Sequence, residues 1–216
     1  MTLAERGSTG VSLLDRRLAE RLGALVGGEL AVLALLAVLV WHSSRPDRVD
    51  AAIARALYAE PGTTLRWIAD RVSLAGAPPI VALAAIGVGV WTWWRCRDLL
   101  VAVFCPFAVV LTSAASHALK LVIERPRPAT AVLLHEVDFS YPSGHATGAT
   151  ALALTFVLLV TALRVRPQRL LVAGATAYVV AVCISRLFLG VHYPSDVVGG
   201  VALGGAGVLL AGWACS

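Results

Sequence analysis

Lys120, Arg127 and Arg186 are cations, and Ser143, His145, His192 and Asp196 add a hydroxyl, two imidazoles and a carboxylate, all at the edges of long apolar runs. They fall in three short stretches: Lys120 to Pro128, Tyr141 to His145, and Ser185-Arg186 followed by His192 and Asp196. Gathering such groups at membrane edges is costly if packing is the only return. Their chemistry is that of phosphate. Lysine supplies a compact point charge, and the planar forks of Arg127 and Arg186 match phosphate oxygens. Pro142-Ser143-Gly144-His145 stands where a helix should begin, and a helix N-terminus offers unpaired N–H groups and a positive dipole end. Ser143 adds a hydroxyl, and Gly144 lets an oxygen come close to the backbone. Together these groups can neutralise a phosphoryl group and the charge spread over its equatorial oxygens in transfer.

The histidines divide the remaining work. His192 and Asp196 are four apart, so on a helix entering after Pro194 they share a face. A carboxylate on one imidazole nitrogen selects the tautomer and leaves the other nitrogen free to attack. His145, on another segment, is then available as general acid for the leaving oxygen and later as base for a water.

These residues need a scaffold, and composition says which kind. Of the 216 residues 58% are hydrophobic and only 14% charged, and the mean hydropathy is +0.80. A soluble domain is about half apolar and a quarter charged, so this chain belongs to the membrane class. The net charge of +5 is not laid out as a basic stripe on a soluble face, which argues against a nucleic-acid partner. About twenty apolar residues cross a bilayer as a helix. On that ruler six spans are expected, at roughly 22–41, 76–94, 99–120, 144–163, 169–189 and 196–213. The fold class is therefore all-α: a polytopic protein of six transmembrane helices with the active site at one membrane face. Residues 1–21 form a cytoplasmic N-terminal arm and 22–216 one six-span domain, with the motif core at 117–200. The run from Leu22 to Trp41 is too long for a signal-peptide core and lacks a small-residue cleavage site, so it reads as a retained span. Between His42 and Ala75, Ile53, Leu57, Leu65, Ile68 and Val72 can form one face of interfacial helices.

Arg95 and Arg97 in one short loop, Arg164, Arg166 and Arg169 in another, and Arg6, Arg16, Arg17 and Arg21 in the arm mark the cytoplasmic side. Both termini are then inside a plasma membrane, and all three chemical stretches emerge on the non-cytoplasmic face. Trp41, Trp91, Trp93, Trp94 and Trp213 fall at span ends, as an aromatic belt does. Gly23 with Gly27, and Gly200 with Gly204, have the spacing that lets helices approach closely. Glu29, near the cytoplasmic end of the first span, reads as interfacial. Cys96, Cys105, Cys183 and Cys215 show neither CxxC pairing nor metal spacing and read as small hydrophobes.

Lys120-x6-Arg127-Pro128, Pro142-Ser143-Gly144-His145 and Ser185-Arg186-x5-His192-x3-Asp196 resemble the three signatures of the type-2 phosphatidic acid phosphatase family, with every signature position filled. That family shares its fold with vanadium haloperoxidases. The resemblance runs from the third span to the sixth and implies a metal-independent lipid phosphatase working through a phosphohistidine, with no cofactor. It implies His192 as nucleophile, Asp196 as its partner and His145 as acid/base, with Lys120, Arg127, Ser143, Gly144 and Arg186 binding phosphate. Its substrate would be a lipid phosphate or diphosphate: an undecaprenyl-type polyprenyl diphosphate, phosphatidic acid or phosphatidylglycerophosphate. Arg125, also followed by proline, is a candidate to grip a second phosphate. Glu124 can pair with Lys120 or an arginine, and His117 reads as a structural neighbour. His135, Glu136 and Asp138 could suggest a metal site, but the family needs none. Two other readings stand beside this one. Vanadate-dependent halide oxidation uses the same cradle, though in larger, soluble chains. A lipid-phosphate binder or transporter would need the cations but not the two histidines and Asp196.

Overall fold

The structure is a computed structural model that describes residues 48–130 and 138–214. The arm, the first expected span with Glu29 and the Gly23–Gly27 pair, Trp41, His135, Glu136 and Cys215 lie outside the described residues, as does the side chain of Trp213. Among the described residues the chain forms seven helices and no strand: α1 (Arg48–Leu57), α2 (Thr64–Ala75), α3 (Pro78–Cys96), α4 (Leu99–Ile123), α5 (Gly144–Ala162), α6 (Gln168–Phe188) and α7 (Pro194–Ala214). The last five are long and apolar enough to cross a membrane, and they match five of the six expected spans. The segment expected to be interfacial folds as α1 and α2. On these, Ile53, Leu65 and Ile68 are exposed, as is Trp67.

Local chemistry sets the helix ends. The Thr63 side chain accepts from the Arg66 N–H and caps α2. Pro78 and Pro79 occupy the first turn of α3, where their missing N–H groups cost nothing. Asp98 caps α4 by accepting from the N–H groups of Leu100 and Val101. Between these caps, α3 closes on Arg97, whose guanidinium lies 4.6 Å from the centre of the Trp93 ring. Inside α4, Pro106 cannot donate to the Ala102 carbonyl. Gly89 of α3 packs at that oxygen so tightly that a Cβ would lie 2.7 Å from it.

Helix α5 is the central one, packed on α3, α4, α6 and above all α7. In a bilayer the lipid tails are as apolar as the helices, so close backbone contact replaces the hydrophobic drive. The Gly200–Gly204 pair of α7 provides it. A Cβ on Gly200 would sit 2.6 Å from the Ser143 carbonyl oxygen, and one on Gly204 2.6 Å from that of Thr147. The contact clamps the first turns of α5, where Ser143 and His145 begin. The bundle core beneath is small and tight, built from Val81, Ala85, Cys105, Ala108, Ala151 and Val208 among others.

The alternation of helix direction puts the start of α3, the end of α4, the start of α5, the end of α6 and the start of α7 at one end of the bundle. The arginine-bearing turns at 95–97 and 164–169 lie at the other end. Two expectations are adjusted. Helix α4 runs to Ile123, so Lys120 lies in its last turn rather than at its exit. His192 precedes α7, so the pair with Asp196 is made by a turn, closed by Asp196 N–H donating to the Tyr193 carbonyl at 3.0 Å, and not along a helix face. The Gly204 contact predicts that Gly204→Val, by overpacking, costs about 1–3 kcal/mol. It should lower the thermal unfolding midpoint in detergent, whereas Gly87→Ala, where an added Cβ meets nothing, should leave it unchanged or raise it slightly.

Candidate active site

The loops at this end are tied to one another by backbone. Ser140 N–H donates to the Arg125 carbonyl at 2.8 Å, and Ser143 N–H to the Asp196 carbonyl at 2.9 Å. Thr130 Oγ1 donates to the Gly190 carbonyl at 2.5 Å. Helix α2 joins them, with Ala69 packed on Leu189 and Val191.

This frame converges the cations. Lys120, buried, donates from Nζ to the Phe139 carbonyl and pairs with Asp138 Oδ2 at 3.0 Å. Arg127 donates from Nε to the Asp138 carbonyl at 2.9 Å and from Nη2 to the Asp138 carboxylate. Its Nη1 donates to the Val191 carbonyl at 3.0 Å and lies 3.2 Å from His192 Nε2. Arg186, in the last turn of α6, donates from Nη1 to Ser73 Oγ at 2.7 Å. Glu124 caps α4 in the left-handed region, exposed; Lys120 takes Asp138 as its carboxylate partner instead. His117 is exposed on α4.

His192 is buried, with Nδ1 facing Asp196 Oδ2 at 3.5 Å. That oxygen is already held by the Tyr193 N–H at 2.8 Å and by the Ser140 hydroxyl, while Oδ1 takes a bond from Arg125 Nη1. A guanidinium only donates, so its approach assigns the lone pair to Nε2 and the proton to Nδ1, on the Asp196 side. Burial pushes the His192 pKa below the ordinary imidazole value; Asp196 opposes this, and Arg127 and Arg186 add to it. His192 is thus a neutral base aimed into a ring of cations.

The start of α5 completes the ring. Ser143 Oγ is buried without a partner, an arrangement that costs about 1–3 kcal/mol unless a ligand oxygen meets it. The side-chain direction of Gly144 is open, with nothing within 4 Å of where a Cβ would be. His145 is half-buried, lies against Gly76, and is within electrostatic reach of Arg186, His192, Arg127 and Lys120. The structure therefore gathers Lys120, Arg127, Ser143, Gly144, His145, Arg186, His192 and Asp196 in one site. Arg125 is turned away from it. Its guanidinium is buried against Asp50, Asp196 and Ser195 over the Tyr193 ring, so it does not face the cradle as a second-phosphate contact would.

Sequence reading passed over Asp50, Ser73, Ser140 and Ser195, and weighed Asp138 only as a metal ligand. Asp50 carried one usable signal: a carboxylate on a short helix whose i+3 and i+4 positions are Ile53 and Ala54, with no cation to pair along the helix. Asp138 matters most for binding. Its own partial burial would raise its pKa, but the bonds from Lys120 and Arg127 outweigh that and hold it at about 2. A half-exposed carboxylate thus occupies two of the cations a bound phosphate would use. Any anion entering must displace it. Asp138→Asn should tighten binding of inorganic phosphate about fivefold, the equivalent of roughly 1 kcal/mol for a partly exposed pair. Calorimetric titration of the purified protein checks this, and unchanged or weaker binding would refute it.

Comparison with known proteins agrees with this geometry. The PAP2 superfamily profile matches residues 101–215. Phosphatidylglycerophosphatase B of Bacillus subtilis is 31% identical over 76% of this chain and 81% of its own length. Decaprenylphosphoryl-5-phosphoribose phosphatase of Mycolicibacterium smegmatis is 33% identical over 80% of this chain and 81% of its own. Undecaprenyl-diphosphatase BcrC of Bacillus subtilis is 26% identical over 57% of this chain and 63% of its own. Among solved structures, a transmembrane PAP2-type phosphatidylglycerolphosphate phosphatase from Bacillus subtilis superposes with a TM-score of 0.73 at 26% identity, covering 83% of this chain and 92% of that one. These relatives are phosphatases of lipid phosphates, and the apolar helices together with the transmembrane neighbour make this a multi-pass membrane protein. With the profile spanning the three motifs and the fold shared across the bundle, the chain belongs to the PAP2 superfamily.

Proposed function

We propose that this protein is an integral-membrane lipid phosphatase that cleaves a phosphorylated headgroup through a phosphohistidine on His192, without a metal. The observation that carries the reading is a neutral, buried His192 whose Nε2 lies 3.2 Å from Arg127 Nη1, with Arg186 also within electrostatic reach. In the first step Nε2 attacks phosphorus and the bond to the lipid oxygen breaks, with His145 giving that oxygen its proton. In the second, His145 takes a proton from water, the water oxygen attacks phosphorus, and the P–N bond breaks to release inorganic phosphate. Lys120, Arg127, Arg186, the Ser143 hydroxyl and the α5 N–H groups beside Gly144 hold the equatorial oxygens through both steps. As His192 becomes phosphorylated and cationic, Asp196 stabilises the Nδ1–H.

The surroundings of the cradle bear on the substrate class. With Arg125 committed to carboxylates, the cationic groups described suffice for one phosphoryl group, which favours a phosphomonoester headgroup such as phosphatidylglycerophosphate or phosphatidic acid over a polyprenyl diphosphate. Below the cradle, an apolar groove of about 270 Å³ runs between α3, α5 and α6, bordered by Ala84, Val88, Leu152, Phe156, Ala175 and Tyr178. It borders α5, the helix that carries His145 in its first turn, and in this reading the substrate's acyl or isoprenoid tail lies there while the headgroup is in the cradle. The arginines in the turns at the far end support a cradle on the non-cytoplasmic face of the plasma membrane, with both termini inside.

Purified protein in detergent with excess chelator should release phosphate from dioctanoyl phosphatidic acid. His192→Ala should abolish release and also the alkali-stable, acid-labile protein phosphorylation seen after rapid quench with labelled substrate. Loss of all activity in chelator would sink the metal-free mechanism, and an active His192→Ala protein would sink the nucleophile. Filling the groove with Ala175→Trp should raise KM several-fold for a long-chain phosphatidic acid while leaving hydrolysis of a water-soluble phosphomonoester unaltered. Equal effects on both would remove the tail assignment.

A further inference from the structure

Arg125 lies outside the cradle yet is one of its most thoroughly engaged neighbours. Helix α4 ends at Glu124 in the left-handed region (φ 51°), which turns the chain off the helix axis. Pro126 and Pro128 favour an extended course for the residues around them, and in a proline-type extended chain, with three residues per turn, side chains two apart do not share a side. Arg127 accordingly enters the cradle and Arg125 goes behind it.

There, Arg125 Nη2 donates to Asp50 Oδ2 at 2.8 Å, and Nη1 donates to Asp196 and, at 2.7 Å, to Ser195 Oγ. The guanidinium lies over the Tyr193 ring, 4.5 Å from its centre. Asp50, from α1, also accepts from Ser195 N–H at 3.0 Å and from the Ser195 hydroxyl. Arg125, Asp50 and Asp196 are all buried, Asp196 entirely. A lone Arg125–Asp196 pair would cancel the charge that Asp196 offers His192. A second carboxylate changes that balance, since one guanidinium shared by two carboxylates leaves the cluster with a net negative charge on the His192 side.

We infer that Asp50 and Arg125 are positioning residues for the proposed reaction: Arg125 fixes the orientation of Asp196, and Asp50 draws enough of the Arg125 charge for Asp196 to support His192. The inference rests on the phosphatase reading and concerns the layer behind it. Every element packed against this cluster contributes a group that faces it. Asp50 comes from α1, Ser140 from the loop before α5, Tyr193 from the turn before α7, and Ser195 and Asp196 from the start of α7. Arg127, Arg186 and His145 act on His192 from the cradle side, and Lys120 and Tyr141 lie within electrostatic reach of Asp196.

The two charges should act in opposite directions, which ordinary structural damage would not do. In Asp50→Asn the cluster becomes more positive, so His192 protonates at lower pH and the acid limb of kcat/KM moves down. It also becomes a weaker nucleophile, so kcat should fall about tenfold with KM within twofold, because the cradle is untouched. In Arg125→Met the cluster becomes more negative and the acid limb moves up. The double variant Asp50→Asn/Arg125→Met restores the net charge and should return the limb towards that of the wild type. The measurement is hydrolysis of dioctanoyl phosphatidic acid by the full chain in detergent from pH 3 to 8, because His192 is held at about 4; ionisation of the substrate is common to all the proteins. Wild-type activity and its loss in His192→Ala decide the underlying reading separately. Opposite shifts, or, if Arg125→Met does not fold, a downward shift in Asp50→Asn that the double variant reverses, establish the inference. Acid limbs that coincide with that of the wild type, shifts of the same sign, or a loss confined to KM would overturn it.

Discussion

One carboxylate, entirely out of water, organises this end of the molecule. Asp196 has to be satisfied on both oxygens, because a bare buried charge is among the costliest arrangements a protein can contain. Its partners come from every loop that matters: Arg125 after α4, Ser140 before α5, and Tyr193 and His192 before α7. Its own carbonyl receives Ser143 N–H at the start of α5. The residue that aims the proposed nucleophile is therefore also the knot between the loops. Cradle geometry and loop packing cannot be altered separately.

The rest of the bundle brings those loops into register without a hydrophobic drive. Glycines do this by removing side chains where backbones meet, at Gly200 and Gly204 against α5 and at Gly89 against the carbonyl that Pro106 leaves without its helical donor. The closest of these contacts to the cradle lies on Ser143. Backbone contact is thus tight where phosphate oxygens are proposed to be held, and the proposed tail site lies in the seam between α3 and α6, which pack on α5 rather than on each other. Asp138 shows the complementary need. Three converged cations repel one another, and a half-exposed carboxylate neutralises two of them while remaining displaceable.

Much of this was legible in the chain. Runs of about twenty apolar residues located five described helices to within a few positions, because a bilayer imposes length as strictly as composition. The spacing of lysine, arginines, serine and histidines singled out the eight residues that the structure gathers, since phosphate recognition restricts the chemistry at each position. Arg127 was also separable from its neighbour Arg125 by the Lys-x6-Arg-Pro spacing of the family it resembles. The role of Arg125 was not. A basic residue beside a phosphate motif looks like one more phosphate contact until its environment is seen.

What the sequence determined by itself, then, was the membrane class, the positions of five apolar helices and the residues of the proposed cradle, all of them read from local composition and short-range order. Only the tertiary structure could decide which charge meets which. Asp50 reaches Ser195 and Arg125 across 145 and 75 positions of sequence, and Ser73 reaches Arg186 across 113. No periodicity encodes such pairings. They arise because buried charges must find partners, and the available partners are those that helix packing happens to bring within reach.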